Sequence, residues 1–150
     1  MAAPEAWVLH DKFKNYLGAG GVKLATDNLK MALFSDASNV SITSIDAIGS
    51  ATGELPTGNG YTAGGEVVTG QTWVDAEGVS TFDCDDLVWT AAGGSISARY
   101  AVLYDTSVVS PVAGPIVCHA LLDSDGVDVV ATDTKTLTVE ISAAGVFNMS

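Results

Sequence analysis

The stretch that most restricts what this chain can fold into is Lys135-Thr136-Leu137-Thr138-Val139-Glu140-Ile141-Ser142, where polar and apolar residues alternate one for one. Successive side chains of a strand point to opposite faces. The alternation therefore predicts a strand with Leu137, Val139 and Ile141 on a core and Thr136, Thr138 and Glu140 toward water. A sheet with one wet face is antiparallel at least in part. Further strand segments stand between turn signals at residues 66–69, 71–74, 79–84, 87–90, 96–104 and 115–122, the spacing of an all-β sandwich or barrel. Asp75-Ala76-Glu77-Gly78 predicts a hairpin turn, and the short, mostly apolar run Leu29-Lys30-Met31-Ala32-Leu33-Phe34 predicts a buried strand.

The amino-terminal region has a different period. Pro4 and Glu5 suit the first turn of a helix, and Ala6, Leu9, Phe13, Tyr16 and Leu17 recur at three- and four-residue spacing until Gly18. An amphipathic helix is expected over residues 4–18. Residues 43–56 allow one short helical turn before an irregular loop. The fold class expected is mainly β, an antiparallel β-sandwich or barrel-like domain with one amino-terminal helix. Its 150 residues form a single domain, with the β portion at 22–150.

Six basic residues against eighteen acidic ones leave a net charge of -12. That charge repels phosphate backbones and anionic headgroups, so neither nucleic acid nor a membrane is expected as a partner. No apolar run approaches the roughly eighteen residues of a spanning helix, and the start Met1-Ala2-Ala3-Pro4-Glu5 lacks a basic region followed by an apolar core. A soluble protein that is not exported is the expectation.

Motifs that could carry chemistry are sparse. Gly58-Asn59-Gly60-Tyr61-Thr62-Ala63-Gly64-Gly65 opens like a phosphate loop, but a strand follows it, with no helix and no nearby Lys to cradle a phosphate. Its glycines are read as turning the chain through positive φ while Tyr61 lies over an apolar edge, making the loop architecture or a contact surface. Asp123, Asp125 and Asp128 alternate as calcium ligands do, but the position six after Gly126 is Thr132 rather than Glu, so an acidic turn is expected. Cys84 and Cys118 lack metal-ligand spacing and are expected as buried thiols, with a disulfide open to them outside a cell. Cys118 and His119 sit next to each other in a strand and point to opposite faces, which excludes a dyad. Arg99 is expected to bridge to one of the many aspartates. No catalytic residue, cofactor or metal is assigned. Trp7 and His10 fall off the helical stripe and, with Tyr61, are the candidate protein–protein contacts.

Taken in order, Leu29-Lys30-Met31-Ala32-Leu33-Phe34-Ser35, the glycine-rich loop, Phe82-Asp83-Cys84-Asp85-Asp86-Leu87-Val88-Trp89-Thr90, Ala98-Arg99-Tyr100-Ala101-Val102-Leu103-Tyr104 and Gly145-Val146-Phe147 resemble a family of small structural proteins of tailed bacteriophages. The family's K-x-A-L-F, G-N-G-Y-T-x-G-G, F-D-A-D-D-V-x-W, A-R-Y-A-V-I-Y and G-x-F segments recur in this order, and the resemblance covers nearly the whole chain. Cys84 stands where the family often has Ala. The resemblance implies a virion component without catalysis, assembled in the host cytoplasm. Family members are described both as tail fibre and as head proteins. A chain this short has the dimensions of a capsid decoration, or cement, protein, expected to bind the major capsid protein or other virion subunits as a homo-oligomer, commonly a trimer. The alternative is a tail fibre or tail-tip protein that binds a host surface glycan, which expects exposed aromatics beside acidic loops, such as Trp73 near Asp75.

Overall fold

In the computed structural model, which describes residues 4–150, every strand pair is antiparallel. Met1, Ala2 and Ala3, part of the expected domain, lie outside the described residues. In chain order the strands are β1 (Val8–Leu9), β2 (Leu29–Phe34), β3 (Glu66–Val67), β4 (Thr72–Ala76), β5 (Val79–Asp83), β6 (Leu87–Thr90), β7 (Ile96–Ala98), β8 (Tyr100–Asp105), β9 (Ile116–Leu121), β10 (Val129–Ala131), β11 (Thr136–Val139) and β12 (Phe147–Met149). A five-stranded sheet has the order β1-β9-β8-β2-β3, and β12-β5-β4 forms a three-stranded one. The pairs β10-β7 and β11-β6 are two-stranded ribbons. The fold is mainly β and sandwich-like, with no closed barrel.

The main core lies between the five-stranded sheet and the smaller ones. Leu29, Met31, Leu33 and Leu103 meet Phe82, Trp89, Leu137, Val139 and Phe147 there. Each fully buried side chain of this size contributes roughly 1.5–3 kcal/mol. The other face of the five-stranded sheet carries a second cluster, in which Ala32, Phe34, Val102 and Ile116 are covered by Val40, Ile45 and Ile48 of the irregular 40–51 segment. Burial on both faces is why β2 reads as a mostly apolar run rather than an alternation.

In β11 the alternation holds: Leu137 and Val139 are buried, while Thr136 is exposed. The predicted hairpin also forms. Glu77 and Gly78 take φ of 54° and 83°, the paired positive values of a two-residue turn whose twist matches the strands it joins. A 3-10 turn at Ile48–Ser50 supplies the short helical turn expected in 43–56.

Two expectations are corrected. The helix predicted over 4–18 is confined to α1 (Phe13–Gly18), and Val8–Leu9 is a strand instead. The backbone N–H of Glu5 donates to Leu121 O at 2.8 Å and that of His10 to Val117 O at 3.1 Å. Pairing with the buried strand β9 satisfies these groups along a sheet edge, and that tertiary contact overrides a weak local helical period. The predicted strand 96–104 breaks at Arg99, where the chain passes from the β7–β10 ribbon into the five-stranded sheet. The N–H of Arg99 donates to Phe34 O, and its C=O accepts from Leu122 N–H. β1, β10 and β12 had no counterpart among the predicted strands. Each is only two or three residues long, too short for a period to show.

Candidate functional site

The glycine-rich loop is bonded to several elements around it, and its glycines do two jobs. Several turn the chain through positive φ. Gly60 and Gly65 also let backbone approach backbone: a Cβ on Gly65 would lie 1.9 Å from Met31 O, and one on Gly60 would lie 2.0 Å from Thr90 O. The loop therefore sits directly on β2 and on the end of β6.

Tyr61 fastens it. The phenol O–H donates to Glu54 Oε1 at 2.9 Å and accepts the Leu33 N–H at 3.0 Å. The same Glu54 oxygen accepts the Gly64 N–H, and the Tyr104 hydroxyl donates to Gly64 O at 2.6 Å. Burial raises the pKa of both phenols above the ordinary value, with the Glu54 carboxylate adding to it. They stay protonated donors throughout the physiological range. Glu54 was not singled out from the sequence. The only mark of it there is an acid inside the Thr52-Gly53-Glu54-Leu55-Pro56 break.

The remaining motif segments close on the same scaffold. The N–H of Val146 donates to Phe82 O, and a Cβ on Gly145 would lie 2.7 Å from that carbonyl. Phe147 stacks on Phe82 with ring centroids 5.6 Å apart. The three aspartates near β6 face separate tasks: Asp83 Oδ1 accepts the Cys84 N–H, Asp85 Oδ2 accepts the Thr69 hydroxyl, and Asp86 Oδ1 accepts the Ile141 N–H. Asp83 caps its own chain, while Asp85 and Asp86 tie down two different segments.

No protein-family model, curated protein or solved structure matches this chain. What the motif residues do is therefore read from their geometry. They bond to one another, and in the phosphate loop considered for residues 58–65 the amides of Gly58, Tyr61 and Gly65 donate to carbonyls of the loop itself and that of Gly64 to the Glu54 carboxylate.

The three candidate contact residues fare differently. His10 is wholly buried and Tyr61 is 2% exposed, so neither side chain reaches a partner, and their assignment as contacts is corrected. His10 was singled out for falling off the helical stripe and Tyr61 for its place in the glycine-rich loop, and each is held inside by the hydrogen bonds it makes. Trp7 is half-buried. It lines a cleft of about 520 Å³ together with Ile141, Phe147, Glu140 and Asn148.

Other expected groups are placed as follows. Arg99 Nε donates to Asp128 Oδ1 at 2.7 Å, the expected bridge, which holds the corner between β7 and β8 against the start of β10. Asp128 is thereby committed, and Asp123 Oδ1 accepts the Asp125 N–H in an ordinary acidic turn. Among the described residues, no three His, Cys, Asp or Glu side chains are grouped to hold a metal ion. Cys84 and Cys118 are both free thiols and both buried. Burial, with three neighbouring aspartates, pushes Cys84 up to about 12, and burial, with Cys84 beside it, raises Cys118 well above the ordinary thiol value. Cys118 lies in the main core while His119 packs against His10 and Tyr100, so the strand does send them to opposite faces.

Two polar pairs built on buried groups were invisible in the sequence. His10 Nδ1 lies 2.6 Å from Ile45 O, and His10 Nε2 lies 2.9 Å from His119 Nδ1. The carboxyl of Asp105, fully buried, has Oδ1 on the Ser107 N–H and Oδ2 without a hydrogen-bond donor, with Asp27 in hydrogen-bonding reach. The partners in these pairs are 109 and 78 residues apart in sequence, and no spacing rule spans that separation.

Proposed function

We propose that this chain is a virion structural protein of a tailed bacteriophage, a decoration protein that attaches to the outer face of the capsid shell and stabilises it. The observation that carries this is the convergence of the motif segments. The residues that resemble the phage family join β2, the glycine-rich loop, β5, β6 and β8 to one another, so the recurring sequence specifies a scaffold and leaves the work to outer surfaces. A net charge of -12 supports an outward position, since it favours a soluble, densely studded particle and disfavours contact with packaged DNA. Attachment then depends on apolar and hydrogen-bonded contacts with the major capsid protein, multiplied by many copies.

One observation favours the second reading, a tail fibre or tail-tip protein that binds a host glycan. The cleft beside Trp7 joins aromatic surface from Trp7 and Phe147 to the polar groups of Glu140 and Asn148, the mix that sugar rings stack on and bond to. Antibody labelling of purified particles, viewed by electron microscopy, separates the two. Label spread over the shell supports decoration. Label confined to the tail tip supports the alternative, and particles free of the protein overturn both.

A further inference from the structure

We propose that the outer edge of β4 is a docking site for a second copy of this chain, whose own β4 adds antiparallel across a twofold axis at Val74. The three-stranded sheet β12-β5-β4 then becomes a continuous six-stranded one.

β4 has a single neighbour, β5, so its other edge presents unpaired backbone groups. Its five residues make it the longest edge strand of the described residues; the five-stranded sheet ends in two-residue strands on both sides. Natural sheets blunt such edges with Lys, Pro, bulges or very short strands. β4 has no Lys, Pro or bulge and only the single charge of Asp75: Thr72, Trp73, Val74, Asp75 and Ala76 pair with β5 in unbroken register.

The occupant is identified by the strand's own chemistry. Thr72, Val74 and Ala76 share the outward face and stand opposite Asp83, Thr81 and Val79 of β5. Val74 is 57% and Val79 37% exposed. In a chain with eighteen acidic residues, the only charge in this patch is Asp83 at one end, and its carboxylate already accepts the Cys84 N–H. A twofold axis at Val74 sets Val74 against its copy and Thr72 against the copy's Ala76. On the inner face it sets Trp73 against the copy's Asp75, an indole N–H donor beside a carboxylate acceptor. The two Asp75 carboxylates end up on opposite sides of the axis, two residues apart along the strand, about 7 Å, as diagonal rather than directly opposed neighbours. Sliding the axis to residue 75 would oppose them directly. Self-pairing at Val74 thus satisfies the open edge, covers the exposed valines and keeps the two Asp75 carboxylates out of direct opposition.

Sedimentation equilibrium over a range of protein concentrations tests this, with circular dichroism confirming that each variant keeps the fold. The wild type is expected at twice its 15.3 kDa chain mass, and Val74→Lys, which would place two like charges face to face, at the chain mass. Cysteine cross-linking gives the second measurement, because directly opposed strand residues lie within the Cα separation of a disulfide. Val74→Cys is expected to form a covalent dimer on oxidation, while Val88→Cys, an equally exposed valine on another ribbon, is not. A wild type that stays monomeric, an assembly unaltered by Val74→Lys, or equal cross-linking at both positions overturns the proposal. It stands apart from the shell reading: a dimer missing from virions would sink only that reading, and a monomer that coats shells only this one.

Discussion

The buried pair His10–His119 and the pair of buried Asp105 with half-exposed Asp27 both fasten the five-stranded sheet to peripheral chain, yet they use opposite proton economies. His10 Nδ1 is held against Ile45 O, so that nitrogen carries the hydrogen and Nε2 is left to accept the Nδ1–H of His119. The pair is complete with both rings neutral. Burial disfavours charge and lowers both pKa values. His119, with His10 beside it, falls to about 4, while His10 is partly supported by the Ile45 carbonyl, by Asp11 and by the Val40 backbone. The aspartates are two acceptor groups without a donor between them. Burial, then the neighbouring Asp27, pushes Asp105 up to about 7, opposed by the backbone N–H groups of Ser107 and Val108. That pair is complete only when it holds a proton. Buried groups with different donor inventories thus give one sheet two opposite dependences on pH.

Four measurements test this contrast. The largest effect is expected for His10→Ala, which leaves a hole and strands both Ile45 O and the His119 donor. Chemical denaturation at pH 7.5 should show a loss of about 3 kcal/mol. Next is the acid limb of the wild type. A histidine whose folded pKa lies below its unfolded value of 6.5 contributes full stability above pH 6.5 and loses it as pH falls toward 4. The expected loss is on the order of 2–3 kcal/mol. Thermal melts should resolve it, and amide exchange at His10 and Leu9 should accelerate over the same interval as β1 leaves β9. If exchange there ignores pH, the histidines do not latch β1.

The aspartate pair runs the other way. A carboxyl raised in the folded state contributes its stability below pH 3.8 and loses it as pH rises through about 7. Asp105→Asn should abolish that limb and exceed the wild type by roughly 2 kcal/mol at pH 8, discounted for the half-exposed Asp27. An equal slope in wild type and variant would place the alkaline loss elsewhere. The smallest effect sets the baseline. Tyr61→Phe removes the hydroxyl shared by Glu54 and the Leu33 N–H, so it should cost about 1–2 kcal/mol, and equally at pH 5 and pH 8.

Legibility follows the range of the forces. Strand β2, the hairpin at Glu77-Gly78 and the faces of β11 could be read directly, because side-chain alternation and positive φ are decided within a few residues. The burial of both thiols and the Arg99–Asp128 bridge were legible in kind, from composition and from charge scarcity. The failure at residues 4–18 is instructive for the opposite reason. A fair helical period exists there, but the hydrogen bonds of Glu5 and His10 go to β9, more than a hundred residues away. Long separation likewise hid the roles of His10 and Asp105, whereas Glu54, only seven residues from Tyr61, was hidden by the irregular path of the loop between them.

By itself, then, the amino-acid order determined that this chain would be an antiparallel β protein with an acidic exterior and glycine-built connections. Those properties depend on backbone sterics, a two-residue period and net charge, all of which act locally or sum over the chain. Only the tertiary structure decided that the glycine-rich loop would lock onto β2 through Tyr61 and Glu54, that two histidines and two aspartates would meet in the interior, and that β4 would be left with an open edge. Each of these depends on which distant backbone groups find partners, and that is settled by packing of the whole chain at once.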